Sequence, residues 1–399
     1  MSAPLLLALL AGAAFTAAPV RAQQDVPIID VHVHLAPENG LDFRRAVQAA
    51  LDLMNRYGIA HAIVMSPPRS PGIKSNQEYP DFNPTLAPHG DRFSFMAGGG
   101  SLNPAIHAIA GAAKVDAKTR ADFAHTARRA VAEGAAGFGE MGSLHVSLSR
   151  DHGYTFAPAD HPLMLELADI AAELDVPIDL HMDAVAAPRK LPGALAANPK
   201  NPKTLPATLD GLERLLAHNR KARIVWAHGG TDHTGDFSAK TVGEFMDRHP
   251  NLYMSLKVTG AQGQTFNKLY NGGTLDPGWS VLLNRHPDRF VIGSDSFFAD
   301  PAHKGGGPLA EFSRMAERRL QATRQFMALL PPGLARRIGH ENAAAIYRMR
   351  PLPALAAAPA AAKASPAPSG LCRDGNLLHC RTLCGRGVQK ACAMLGGTR

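Results

Sequence analysis

The run Pro27-Ile28-Ile29-Asp30-Val31-His32-Val33-His34 reads as a β-strand: its branched apolar side chains suit a buried pleated surface, and Pro27 and Pro37 bound it. Residues two apart on a strand share a face, so His32 and His34 project together. The pair alone says little, because 18 histidines in 399 residues give about 0.8 His-x-His pairs by chance. The rest of the chain decides more. A helix-period segment covers 42–57, and further strand-like runs stand at 60–65, 92–97, 135–141, 176–181, 222–228, 251–256 and 289–294. Helical stretches separate most of them, among them 162–174, 209–219, 242–248 and 309–327, with Asp160 as the expected N-cap of the first. Eight strands in about 270 residues of alternation match the rhythm of an α/β fold, the (β/α)8 TIM barrel. An open doubly wound sheet fits less well, since no glycine-rich fingerprint follows the first strand.

In a TIM barrel the active site is built at the C-terminal ends of the strands. The first strand ends in His32 and His34. The fourth ends in Gly137-Phe138-Gly139-Glu140-Met141, the fifth in Ile178-Asp179-Leu180-His181, the sixth in Ile224-Val225-Trp226-Ala227-His228-Gly229-Gly230, and the eighth in Val291-Ile292-Gly293-Ser294-Asp295. His, Glu and Asp are ligand types for Zn, Mn and similar divalent ions. Ionisable groups converging on one barrel mouth would stay desolvated and mutually repelled without a cation among them. Solvent-facing strand caps would account for any one of these residues; six at corresponding positions point to a metal site. Two longer insertions, 66–91 and 257–278, are rich in Gly, Pro and Asn and follow predicted strands, where they would shape a substrate pocket or serve as plain surface loops. Lys257 and Arg69 lie in them, as candidates to bind substrate or as solvated loop cations, and Lys74 shares that ambiguity.

This pattern resembles the amidohydrolase superfamily, in particular the amidohydrolase-related (amidohydrolase 2) TIM-barrel metal-dependent hydrolases, over roughly residues 27–349. The closing Ile338-Gly339-His340-Glu341-Asn342-Ala343-Ala344-Ala345-Ile346-Tyr347 is similar to the family's last helix, and Ala97-Gly98-Gly99-Gly100-Ser101-Leu102-Asn103-Pro104 also looks like this group. The resemblance implies that His32, His34, His181, His228 and Asp295 ligate metal, with one or two ions per chain, zinc being the first expectation and manganese another. Glu140 departs from the modified lysine that many two-metal members carry on strand four and resembles the Glu of TatD-like nucleases, which implies a bridging carboxylate. On that reading His32, His34 and Asp295 hold one ion and His181 and His228 the other. Asp295 is then the general base, and His228 the residue that orients substrate if only one ion binds.

Composition bounds the rest. Apolar residues at 45% and charged residues at 19% are globular values. The net charge of +8 sits mostly in the tail, where seven basic residues from Arg350 onward face one acid, Asp374; the body is near neutral and gives nucleic-acid binding no electrostatic support. Residues 1–22 read as a signal peptide, with an apolar stretch after Leu5 and Val20-Arg21-Ala22 before Gln23, so an exported, periplasmic or secreted protein with no membrane span after cleavage is expected. The barrel then covers 23–349, an Ala/Pro-rich linker 350–370 and a cysteine-rich tail 371–399. All four cysteines, Cys372, Cys380, Cys384 and Cys392, fall in that tail as two C-x-x-G-x-x-x-x-C repeats, disulfide candidates with three connectivities open. Three functions stay open: hydrolysis of a small-molecule ester, lactone or amide; decarboxylation of a small carboxylic acid on one metal; and a catalytically silent binding protein.

Overall fold

The computed structural model describes residues 26–37, 42–71, 78–148, 153–259, 266–271, 273–300 and 308–349. The leader, the linker, Lys74 and the four tail cysteines lie outside the described residues. Within them, strands and helices alternate. The strands are β1 (Ile28–Leu35), β2 (Ile59–Val64), β3 in two pieces (Phe93–Phe95 and Ala97–Gly98), β4 (Phe138–Gly142), β5 (Pro177–His181), β6 (Arg223–Gly229), β7 (Leu252–Leu256) and β8 (Phe290–Ile292). The helices of eight residues or more between and after them are α1 (Arg44–Tyr57), α2 (Tyr79–Leu86), α3 (Ala117–Ala132), α4 (Pro162–Glu173), α5 (Leu209–His218), α6 (Ala239–Arg248), α7 (Pro277–Arg285) and α8 (Pro308–Ala328).

Every pairing among these strands is parallel. The sheet path of nine strands starts on Phe93–Phe95 and ends on Ala97–Gly98, the two pieces of one run interrupted at Met96. A sheet whose two ends are halves of the same strand comes back on itself, consistent with a TIM barrel. A short strand, Ser296–Phe298, adds to the far end of β1. Outward-facing residues such as Ile28, Val33, Leu35, Phe138, Ile178, Leu180, Ile224 and Trp226 pack with the helices in the main core. Inward-facing Ile29, Val31, Ile63, Met65, Met96, Val225 and Val291 form a second apolar cluster with Ala343, Ile346 and Tyr347. The last helix, Asn342–Ile346, is tied to the barrel by Asn342, whose Nδ2 donates to the carbonyls of Pro287 and Phe290 at 2.9 and 2.8 Å.

Three sequence expectations need correction. The N-cap of α4 is His161, whose Nδ1 accepts from the Leu163 amide; Asp160 instead takes a hydrogen bond from Arg214 Nε at 2.5 Å. The insertion at 66–91 contains a helix, α2, despite Pro80 and Pro84. Pro80 sits in its first turn, where the missing N–H costs nothing, and Glu78 and Asp81 form a reciprocal cap. The insertion at 257–278 likewise carries a small antiparallel pairing of Tyr270–Asn271 with Thr274–Leu275. No helix among the described residues is long and apolar enough to cross a membrane.

Candidate metal centre

Strict alternation would not bring all six candidate ligands inside the barrel. On β1, Ile29 and Val31 face inward whereas Val33 and Leu35 face outward, so the alternation flips at His32, where the pairing with β2 shifts register between Asp30 and Val33. That irregularity turns both His32 and His34 into the mouth. On β4, Phe138 and Met141 both face outward, with a register shift between them that turns Glu140 inward. On β6, Val225 faces inward, and a shift between Trp226 and Gly229 accompanies His228, which adopts φ +70°. Asp295 follows the end of β8 with φ +53°. Left-handed backbone at non-glycine residues is uncommon and gathers at functional sites. Only β5 places its ligand by simple alternation, with Ile178 and Leu180 outward and His181 on the other face.

Glycine makes room for this crowding. A Cβ at Gly139 would lie 2.9 Å from the Asp179 Cβ, and one at Gly293 would lie 2.7 Å from the Ser255 Cβ and 3.0 Å from the His32 Cβ. No side chain fits at either point without displacing the groups around the histidines.

The six groups meet. His32 Nε2 lies 3.2 Å from His34 Nε2, 3.5 Å from Glu140 Oε2 and 3.9 Å from Asp295 Oδ1. His34 Nε2 lies 3.4 Å from Glu140 Oε2 and 3.2 Å from Asp295 Oδ1. Glu140 turns its other oxygen, Oε1, toward His181 Nδ1 at 2.6 Å and His228 Nε2 at 3.2 Å, and those two nitrogens are 2.9 Å apart. Glu140 therefore stands between two histidine pairs with one oxygen for each. His32 with His34 and Asp295, and His32 with Glu140 and His228, form two buried triplets that share His32.

The chemistry of this donor set fits a divalent ion. His34 Nδ1 donates to the Met65 carbonyl at 2.8 Å, and His32 Nδ1 donates to Asp179 Oδ2 at 3.2 Å. With both Nδ1 atoms engaged as donors, a neutral ring turns the lone pair of its Nε2 inward, and two such lone pairs 3.2 Å apart repel unless a proton or a metal cation lies between them. Donor atoms around a four-coordinate ion with bonds of about 2.0–2.1 Å stand about 3.3 Å apart, close to the 3.2–3.5 Å that separate His34 from His32, Glu140 and Asp295 and His32 from Glu140, while His32 and Asp295 stand wider at 3.9 Å.

Electrostatics agree. Burial opposes charge on His32, yet the carboxylates of Asp179 and Glu140 hold its pKa well above the usual imidazole range. The same field that keeps a proton there attracts a metal cation. Burial pushes Glu140 up, but His32, with hydrogen bonds from His181 and His228, holds it well below the carboxylate range. Asp295 is likewise held well below, against burial, by Lys257 and Arg319. His228 is driven well below its usual value by burial and by Lys257, and so is neutral.

The two substrate-binding candidates take different places. Lys257 does not extend from a solvated loop; its Nζ is bound to Asp295 Oδ2, and its side chain is only 11% exposed. Arg69 is half-buried in the loop after β2, its amide donating to the Gly99 carbonyl and its carbonyl accepting from Asn103. Trp226 and Trp279 are fully buried packing residues whose indole N–H groups donate to the Met182 and Asn267 carbonyls. Three contributors escaped the sequence reading. Asp179 orients His32, and its place two residues before His181 on the same face of β5 was the available signal. His145 stacks on His181 with centroids 4.2 Å apart, and Arg319 reaches Asp295 from α8; neither position carries a local signal.

No curated protein matches the chain. Among solved structures, a probable 2-pyrone-4,6-dicarboxylic acid hydrolase from Acinetobacter baumannii with citric acid bound is similar at 11% identity, covering 80% of this chain and 99% of that one, with a TM-score of 0.46. A 5-carboxyvanillate decarboxylase from Novosphingobium aromaticivorans, complexed with manganese, is similar at 12% identity over 82% and 97% of the two chains, TM-score 0.47. A dihydroxybenzoic acid decarboxylase from Polaromonas sp. JS666 with bound manganese is similar at 14% identity over 83% and 99%, TM-score 0.44. The sequence profile described as Amidohydrolase matches residues 29–349, from the first strand to the end of the last helix, and the chain belongs to the amidohydrolase family.

Proposed function

We propose that the protein is a metal-dependent hydrolase acting on a small ester, lactone or amide. The observation that carries this reading is the division of Glu140 between His32/His34 and His181/His228, with Asp295 beside the first pair. His32, His34, Glu140 and Asp295 would hold one divalent ion, and His181, His228 and Glu140 a second, zinc or manganese suiting a set of imidazoles and carboxylates. When bound, such ions supply Lewis acidity toward a substrate oxygen and lower the pKa of water.

The chain's own residues supply the remainder. Asp295, kept ionised by Lys257 and Arg319, is the general base: it takes a proton from the attacking water. The water oxygen bonds to the substrate carbonyl carbon, and the bond to the leaving alkoxide or amine breaks. Asp295 then returns the same proton to that leaving group. Asp179 and the Met65 carbonyl keep the rings of His32 and His34 in one orientation throughout.

Elemental analysis of the purified protein and of Glu140→Ala tests the arrangement. Two ions per chain falling to about one is the expected result, together with acid release from members of an ester, lactone and amide panel. One ion in both proteins would overturn the bridging role. Release of CO2 from small carboxylic acids, with no hydrolysis across the panel, would replace hydrolysis with decarboxylation.

A further inference from the structure

Asp295 is the candidate ligand least anchored by its own strand. β8 ends at Ile292, and Asp295 lies beyond it in the left-handed region, its amide donating to the His32 carbonyl at 2.9 Å. Support for its other atoms comes from two distant cations. Arg319, on α8, places Nη1 on the main-chain carbonyl of Asp295 and 3.4 Å from its Oδ2. Lys257, just past β7, binds the same Oδ2. Oδ1 is left to face His34 Nε2 at 3.2 Å and His32 Nε2 at 3.9 Å. The two oxygens of one carboxylate are thus sorted, one toward cations and one toward the histidines.

We propose that Arg319 is a positioning residue which, with Lys257, fixes the left-handed turn at Asp295 and presents Oδ1 alone to the metal ligands. The inference rests on the metal-centre reading above and gives Arg319 a second role, in geometry, beside the electrostatic one of keeping Asp295 ionised. Arginine suits this role because its guanidinium stays charged when desolvated, and its several N–H groups reach a carbonyl and a carboxylate together. At 16% side-chain exposure, Arg319 is withdrawn from the solvent that normally surrounds this residue type. A carboxylate held by one oxygen cannot rotate to offer the other, so the geometry of the ligand set is determined partly by a helix outside the sheet.

A bystander charge and a positioning residue give opposite signs. Removing a nearby positive charge that only repels a metal ion strengthens metal binding, whereas removing the support of a ligand weakens it. The test loads Co2+ into the full chain and reads its affinity by competition with a chelating dye, its visible d–d spectrum, and the thermal melt by circular dichroism. Arg319→Ala is expected to bind Co2+ about 10–100-fold more weakly with an altered visible band, and added methylguanidinium is expected to restore part of the affinity. Lys257→Met releases the same oxygen from the other side and is expected to shift the band as well, which keeps the test open if Arg319→Ala fails to fold. Folded variants that bind Co2+ as tightly as the parent or more tightly, with an unchanged spectrum, would overturn the proposal while leaving the metal centre standing. A parent protein that binds no Co2+, Zn2+ or Mn2+ would instead remove the metal centre and this inference with it.

Discussion

Two layers of the barrel interior meet on β1, on β6 and at the end of β8 and differ in chemistry. The lower layer is Ile29, Val31, Ile63, Met96, Val225 and Val291, closed by Ala343, Ile346 and Tyr347. The upper layer is His32, His34, Glu140, His181, His228 and Asp295. On β1 the change happens across one peptide, from Val31 to His32. The lower layer keeps its side-chain alternation despite a register shift between Ile28 and Ile29, whereas the upper one is aimed by shifts on β1, β4 and β6 and by left-handed backbone at His228 and Asp295. Regular geometry packs apolar side chains well, and irregular geometry aims polar ones at a point. The contrast implies that substitutions below should change stability and substitutions above should change chemistry.

The strongest way to break that division is Asp295→Asn. Asparagine tolerates the left-handed conformation at this position, so the backbone keeps its shape while the proposed base is lost. The expected fall in kcat is about 10²–10⁴-fold, read on the best substrate of the hydrolysis panel and normalised to folded protein, because the amide cannot take the proton from water. A kcat within tenfold of the parent would remove Asp295 from the proton transfer.

From the lower layer, Ile29→Ala should cost about 2–5 kcal/mol in urea unfolding, the usual result of emptying a fully buried site. The kcat of the fraction that remains folded should stay within about twofold of the parent, since Ile29 touches none of the chemistry. A large loss of kcat without loss of stability would show that the two layers are not separable.

How far the sequence disclosed these layers depends on the geometry of each strand. The apolar runs and their turn residues were legible, as were the helices with strong 3.6-residue periods, α1 and α8 among them. His181 was legible in full, because β5 alternates without a fault. His32 and His34 were legible as a pair, since two residues past a register shift still share a face, although the shift itself leaves no mark in a single sequence. Glu140, His228 and Asp295 could be placed at strand ends but not aimed, because their direction depends on how neighbouring strands pair. Asp179 lay one alternation step from His181 and could have been read. Arg319 could not, because its contact with Asp295 joins a helix to a loop 24 residues away and depends on how α8 packs. The helix inside the 66–91 insertion was hidden for a related reason: prolines at 80 and 84 look like breakers until the cap around them is seen.

Gly139 sits where the layers meet, and it sharpens the comparison. A methyl group there would press on the Cβ of Asp179 at 2.9 Å and approach Met65 Sδ at 3.3 Å and Met96 Cε at 3.4 Å. Gly139→Ala should therefore cost about 1–3 kcal/mol from overpacking and, by moving Asp179, also weaken metal binding through His32. Unfolding and metal competition measured on the same preparation check this. A stability loss with unaltered metal affinity would mean that the lower layer absorbs the strain.

Tyr347 gives the smallest effect and the finest test. Its ring belongs to the apolar layer and is nearly fully buried, yet its hydroxyl has no hydrogen-bond partner among the described residues. Burial, with the negative charge of Asp179 nearby, pushes its pKa well above the usual phenol range, so the hydroxyl stays protonated at any working pH. A buried donor without a partner carries an uncompensated desolvation cost. Tyr347→Phe should then stabilise the fold by up to about 1 kcal/mol, measured as a shift in the urea midpoint at constant m-value. A destabilisation of about the same size would mean that the hydroxyl is coupled to Asp179. In that case the orientation of His32 would be set from the floor of the barrel as well as from its mouth, and Tyr347→Phe would lower metal affinity together with stability.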